Sequence, residues 1–167
     1  MAKAGVTRGA LYHHFADKQE LLRAVVVQIQ EELLTSVIEA AGSTDDPWEQ
    51  FVAGWFAILD AADQPGLRVL MVEAPPVLGT ETWVEIDDEY CFLPAVAGVR
   101  LLIEHGVVAP QPPEPLARVL LTSSNALATY IATSGDPSAA RDEVEPVWRR
   151  MLESVRADHG PAGSGQR

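Results

Sequence analysis

Between Thr7 and Lys18 the chain gathers Arg8, Tyr12, His13, His14 and Lys18, a run of donors and cations in a molecule whose net charge is −12. Guanidinium, ammonium, phenol and imidazole groups at this density are what hold phosphate oxygens, and arginine can also read the edge of a guanine. Thr7 is a good helix N-cap, because its hydroxyl can accept from a free amide in the first turn. Leu11 and Phe15 are four apart and share a face, so they can pin a short helix to a core. Arg8, Tyr12, His13 and Lys18 are left for other faces. Asp17 then caps a second helix, with Glu20 three residues on, the spacing of a capping box. Lys18 falls in the first turn, where the helix dipole disfavours a cation and a neighbouring phosphate would remove the objection. A surface helical hairpin with incidental basic residues would be written the same way.

The charge is unevenly spread. Residues 1–24 hold Lys3, Arg8, Lys18 and Arg23 against Asp17 and Glu20, a net +2, and the remainder carries −14. A small polyanion-contacting end on an acidic body has this asymmetry. Other chemistries find no purchase. There is no His-Glu-x-x-His, and no Glu is followed three residues later by His, so the metal signatures of helical bundles are absent. His13 and His14 are adjacent and point apart on a helix. No glycine-rich phosphate loop and no Gly-x-Ser-x-Gly occurs. Asp87, Asp88 and Glu89 are consecutive and fan around a helix axis, which reads as a solvated face rather than a metal site. Cys91 reads as a core thiol, with no His nearby in sequence to activate it. No cofactor and no catalytic constellation is implied.

Positioning these residues is the task of a helical body. The 167 residues, 47% apolar, suit one unit with a real core. The lone Cys91 excludes an internal disulfide and fits a reducing cytoplasm. No secretory signal and no apolar run of membrane-spanning length is present. Leu22, Val25, Val26, Ile29, Leu33, Val37 and Ile38 predict one long amphipathic helix over 18–41, ended by Gly42. Asp46-Pro47-Trp48-Glu49 opens the next, with Phe51, Trp55, Ile58 and Leu59 as its buried stripe. Leu67 to Ala74 reads as a short helix stopped by Pro75-Pro76. Thr80 or Thr82 starts a longer one, striped by Trp83, Ile86, Tyr90, Leu93, Ala97 and Leu101, kinked or broken at Pro94 and ending at Gly106. Residues 110–115 form a proline-rich linker. The helix over 116–133 is apolar on two sides, Leu116, Leu120, Leu127 and Ile131 on one and Val119, Ala126 and Tyr130 on another. Gly135-Asp136-Pro137 caps the last helix, 137–157, with a second kink expected at Pro146. The segment 160–167 reads as a disordered tail. No alternating strand pattern occurs, so the class is all-α.

The sequence Ala4-Gly5-Val6-Thr7-Arg8-Gly9-Ala10-Leu11-Tyr12-His13-His14-Phe15-Ala16-Asp17-Lys18-Gln19-Glu20-Leu21-Leu22 closely resembles the end of the helix-turn-helix of the tetracycline-repressor (TetR) family. That family's pattern runs Ala-Gly-Val-Thr/Ser, two variable residues, a small-Leu/Ile-Tyr block, His-Phe, Lys, Glu and Leu-Leu. Nearly every fixed position is matched over these nineteen residues, far more than a lone short motif supplies. Family members carry a further helix, and most of the first helix of the helix-turn-helix, before this point. Met1 to Ala4 looks like that helix's last turn, with Gly5 in the turn that follows. A head truncated at its N-terminal side is therefore expected.

The resemblance implies a TetR-like fold: residues 1–24 as the C-terminal part of the DNA-binding domain and 25–159 as a ligand-binding and dimerisation domain. It implies a cytoplasmic transcriptional regulator, most often a repressor, released from a palindromic operator in double-stranded DNA by a small apolar or aromatic effector. Thr7, Tyr12, His14 and Lys18 would contact phosphate, and Arg8, Gly9, Ala10 and His13 would approach bases. Trp55, Leu59, Met71, Trp83, Ile86, Tyr90 and Asn125 would line the effector cavity, Asn125 standing out as an amide in an otherwise apolar helix. A homodimer would form through the last two long helices as a four-helix bundle. An alternative is a dimeric small-molecule-binding module that has lost stable DNA binding.

Overall fold

Three aspartates begin three of the helices in the same way. In the computed structural model, which describes residues 15–157, the side chains of Asp17, Asp46 and Asp136 accept from the amides of Glu20, Glu49 and Ala139 at 2.9, 2.9 and 3.1 Å. Each bond satisfies one of the amides that the first turn leaves free. The helices they open are α1 (Lys18–Ala41), α2 (Pro47–Asp60) and α8 (Pro137–Glu153). At the first, Glu20 does not close the reciprocal bond on Asp17. Its carboxylate accepts instead from the amide of Ala16, one residue further back.

Between α2 and α8 the chain is almost continuously helical, and its prolines do not act as the sequence pattern suggests. Pro65 opens α3 (Pro65–Arg68), and a π-helical turn follows over Val69–Glu73. Pro75 then does not end a helix but starts α4 (Pro75–Leu78). Helix α5 (Thr80–Asp87) follows Gly79, whose φ of 81° is open to glycine at no steric cost. A second π turn, Asp88–Phe92, leads into α6 (Leu93–Glu104). Both wide turns come just before a proline. Proline has no N–H to return to the preceding turn, and its ring crowds the carbonyl four residues back. An i→i+5 turn supplies the extra room. The closing bonds are Ala74 N to Val69 O and Leu93 N to Asp88 O. Pro94 thus produces a π turn instead of a break. Helix α7 (Pro113–Thr133) begins three residues earlier than the linker reading places it, because Pro113 and Pro115 both sit in a first turn that needs no donors from them. Pro146 lies inside α8 without ending it.

The core is built around α2 and α7. Helix α2 buries Trp48, Phe51, Val52, Trp55, Phe56, Ile58 and Leu59, leaving little of its surface to solvent. Trp55 meets Trp148 of α8 edge-on at 6.0 Å, and Phe51 meets Trp55 likewise at 6.2 Å. Helix α7 packs on α2, α6 and α8 and buries Leu116, Leu120, Leu121 and Ile131. Its other side stays open, with Val119 57% and Tyr130 52% exposed, beside Val147 of α8 at 52%. Helix α8 stops at Glu153, before the expected 157, because the chain then pairs with the α6–α7 connection: Ala109 N donates to Val155 O and Ala157 N to Val107 O. Among the described residues this one isolated bridge is the only extended pairing. No helix of the described residues is long and apolar enough to cross a membrane.

Candidate ligand cavity and nucleic-acid interface

A cavity of about 470 Å³ lies among α1, α2, the second π turn and α6. Its walls follow from doubled apolar pairs. In α1, Leu33-Leu34 and Val37-Ile38 widen the apolar stripe, so that one part faces the core while another is left to line the space. Across from them α6 presents Pro94, Ala95 and Gly98, residues too small to fill the gap. Helix α2 contributes Phe51, Gly54, Trp55 and Ile58. The lining holds no charged residue, and its few polar groups come from Gln50, Tyr90 and Cys91. The Gln50 amide is already committed to Thr44 O at 2.8 Å. At the rim Ile38 is 62% and Leu101 54% exposed, so the space opens to solvent.

Of the seven residues expected around an effector, Trp55 and Tyr90 line this cavity and the others lie elsewhere. Leu59 and Ile86 are fully buried packing residues. Met71, in the first π turn, and Trp83, in α5, are partly buried against the core. Asn125 is half-buried on α7, and its side chain bonds the Asp87 carboxyl. The expected stripe fails beyond Tyr90 because a π turn holds one residue more than an α turn, which rotates everything after it. Leu93, Ala97 and Leu101 come out exposed, Val96 and Val99 buried, and the small residues of α6 on the cavity. The legible signal in this stretch was the cluster of small residues, Pro94, Ala95, Ala97 and Gly98, within an apolar run.

The acidic run is not a uniformly solvated face. Asp88 pairs with Arg118 at 2.8 Å, and the Arg118 guanidinium lies over the Phe92 ring at 3.5 Å. Asp87 is turned inward, with its Oδ1 buried and without a partner. Burial raises its pKa to about 6; Arg118 opposes the rise, Asp88 adds to it, and the Asn125 bond lowers it again. Cys91 donates to Gln30 Oε1 at 3.1 Å. Burial first, and then the Asp87 carboxyl, push its thiol up to about 12, while the Gln30 bond lowers it, so the sulfur stays protonated and is a poor nucleophile.

At the other end of α1, Lys18 is exposed in the first turn beside the Asp17 cap. Gln19 Nε2 donates to Val77 O of α4 at 2.9 Å, tying this end of the helix to the body. The other residues assigned to DNA contact, Thr7, Arg8, Gly9, Ala10, Tyr12, His13 and His14, lie outside the described residues.

A family model described as "Tetracyclin repressor-like, C-terminal domain" matches residues 48–155, and one described as "Bacterial regulatory proteins, tetR family" matches residues 1–25. A TetR-family transcriptional regulator from Pectobacterium atrosepticum superposes with a TM-score of 0.80 at 31% identity, covering 96% of this chain and 82% of that one. The ketosteroid transcriptional regulator KstR2 of Mycobacterium tuberculosis shares the fold, with a TM-score of 0.66 at 19% identity over 94% of this chain and 82% of its own. The A-factor receptor protein of Streptomyces griseus is 27% identical over 161 residues, 93% of this chain and 54% of the relative. The chain spans about half the length of the curated relatives it matches.

Proposed function

Because the chain belongs to the tetracycline-repressor family, we propose that it is a cytoplasmic, DNA-binding transcriptional regulator whose hold on its operator is set by a small molecule in the cavity between α1, α2 and α6. The observation that carries this reading is that α1 belongs to both ends. Its C-terminal half lines the cavity with Leu33, Leu34, Val37, Ile38 and Ala41. Its first turn carries Lys18, within the stretch, residues 1–25, that matches the tetR-family model. At 1.5 Å per residue the helix is about 36 Å long, so a small tilt at the cavity end displaces the DNA-facing end.

On this reading Thr7, Tyr12, His14 and Lys18 contact phosphate, and Arg8, Gly9, Ala10 and His13 approach base edges in the major groove. Repression is the usual mode in this family, with the effector releasing the operator. Two copies pair through the exposed side of α7 and α8, where Val119, Ala126, Tyr130 and Val147 are left uncovered. The effector is apolar or aromatic in bulk, as the lining requires. The relative named as a receptor supports a ligand input.

Gly98 lines the cavity, and a Cβ there meets nothing within 4 Å. Gly98→Phe is therefore expected to fill the space without unfolding the helix. Binding of an apolar and aromatic compound panel, followed by melting temperature, should be present in the wild type and lost in Gly98→Phe. A panel without a single stabilising compound, or one that stabilises both proteins equally, would count against an effector in this cavity.

A further inference from the structure

Part of the cavity wall is built from an uncommon backbone. Tyr90 and Cys91 line the space from within the π turn Asp88–Phe92, and such turns are rare single-turn departures from the α-helix. This one is held from two sides. Towards α1, the Cys91 thiol donates to Gln30 Oε1 at 3.1 Å. Towards α7, one side chain takes both ends of the turn. Arg118 Nη2 donates to Asp88 Oδ1 at 2.8 Å, and the guanidinium lies over the Phe92 ring at 3.5 Å. Asp88 is the first residue of the turn and Phe92 the last, so Tyr90 and Cys91 lie between the two anchors. A planar guanidinium can pair and stack at once, whereas a lysine ammonium could pair with Asp88 but not lie flat on the ring. Among the described residues the other arginines over rings are Arg141 and Arg149 on Phe56 and Arg156 on Trp48. They stand at 5.0, 4.9 and 5.0 Å, and neither ring lines the cavity.

We propose that Arg118 is a positioning residue for effector binding: by clamping both ends of the π turn to α7, it sets the place of Tyr90 and Cys91 in the cavity wall. The inference rests on the cavity being the effector site. Arg118 does not itself line the cavity, so it acts through the turn. The side chains of Arg118 and Asp88 are 44% and 40% exposed, so solvent screening keeps the worth of their pairing to the fold small. Its loss falls on the placement of the wall. In the other direction, a ligand that displaces Tyr90 and Cys91 acts through Arg118 on α7, the helix that leaves Val119 open on its outer side.

The test titrates the full chain with N-phenyl-1-naphthylamine, an uncharged aromatic dye whose emission brightens and moves to the blue in apolar surroundings. Arg118→Gln is expected to bind it about three- to tenfold more weakly, the scale of one ion pair and one cation–π contact at a half-exposed site. The bound emission should also move to the red, as a loosened wall admits water. Arg149→Gln is the control. It too loses an ion pair, to Glu145 at 3.4 Å, and a ring contact, with Phe56 at 4.9 Å. It should lower the melting temperature about as much as Arg118→Gln and leave both dye readings unchanged. Asp88→Asn should give part of the loss. Added to Arg118→Gln it should give no further loss, because the two residues act through one clamp. Unchanged affinity and emission in Arg118→Gln, with binding still lost in Gly98→Phe, overturn the proposal while leaving the cavity an effector site. So does an equal loss in Arg149→Gln, or losses from Asp88→Asn and Arg118→Gln that multiply. A wild type that does not bind the dye, or Gly98→Phe binding it as tightly, removes the cavity reading and this one together.

Discussion

A carboxyl buried without a full set of partners is easier to keep protonated, and Asp87 is such a group, with a pKa raised from 3.8 to about 6, chiefly by burial. The unfolded chain gives up this proton near 3.8 and the folded chain near 6, so between those values the folded state holds more of it. The contribution to stability is complete below 3.8 and is lost as pH rises through about 6. Asp87→Asn cannot ionise. It should therefore melt above the wild type at pH 7.5, with the gap closing towards pH 4. Paired thermal melts across that range check this, and a pH-independent gap would mean that the Asp87 carboxyl is as well solvated folded as unfolded. At this scale the sequence was only partly legible. The residue types of the acidic run suggested solvation, yet only the rotation of the π turn decides that Asp87 points in while Asp88 meets Arg118. Cys91 was read as a core thiol, and its half-buried place against Gln30 agrees with that.

Elements with local start signals are where the sequence speaks most plainly. Asp17, Asp46 and Asp136 bond the amides that their spacing promised, and the helix over 18–41 has the bounds its periodicity predicted. Removing such a cap has a known scale. Asp46→Ala should destabilise the fold by about 0.5–2 kcal/mol, measurable as a shift in urea midpoint at unchanged slope. An unshifted midpoint would show that Pro47 and packing alone hold the start of α2. The prolines were misleading because their effect depends on what the preceding turn can do. Pro75 reads as a stop and Pro94 as a kink or break, but each follows a π turn that makes room for the ring. Of the expected effector residues, Trp55 and Tyr90 reached the lining. The wall from α6, Pro94 to Leu102, was not identified because periodicity carried across a π turn falls on the wrong side. Tertiary placement of Leu59 and Ile86 in the core could not be told from cavity lining by pattern alone, since both demand apolar residues.

For the whole molecule, the two-sided apolarity of α7 separates cleanly into a face that the chain covers itself and one that it leaves open. Leu120 is buried in the chain's own core, whereas Val119 is 57% exposed next to it. If two copies pair on that open face, Val119→Glu buries a charge without a partner, at a cost of several kcal/mol. It should yield monomers in sedimentation while the melting of the monomer fold is retained. A wild type that is monomeric at micromolar concentration would rule out pairing there. Whether the chain is a sequence-reading regulator is tested most directly by fluorescence anisotropy. The protein expressed from its gene is titrated onto a labelled duplex carrying the DNA that flanks that gene, and onto a shuffled duplex of equal length, at one fixed salt concentration. A sequence-reading regulator should prefer the flanking duplex by at least about 10³-fold, and Arg8→Ala should lose about 1–3 kcal/mol of that preference. Equal affinity for the two duplexes, with Arg8→Ala indistinguishable from the wild type, would contradict it.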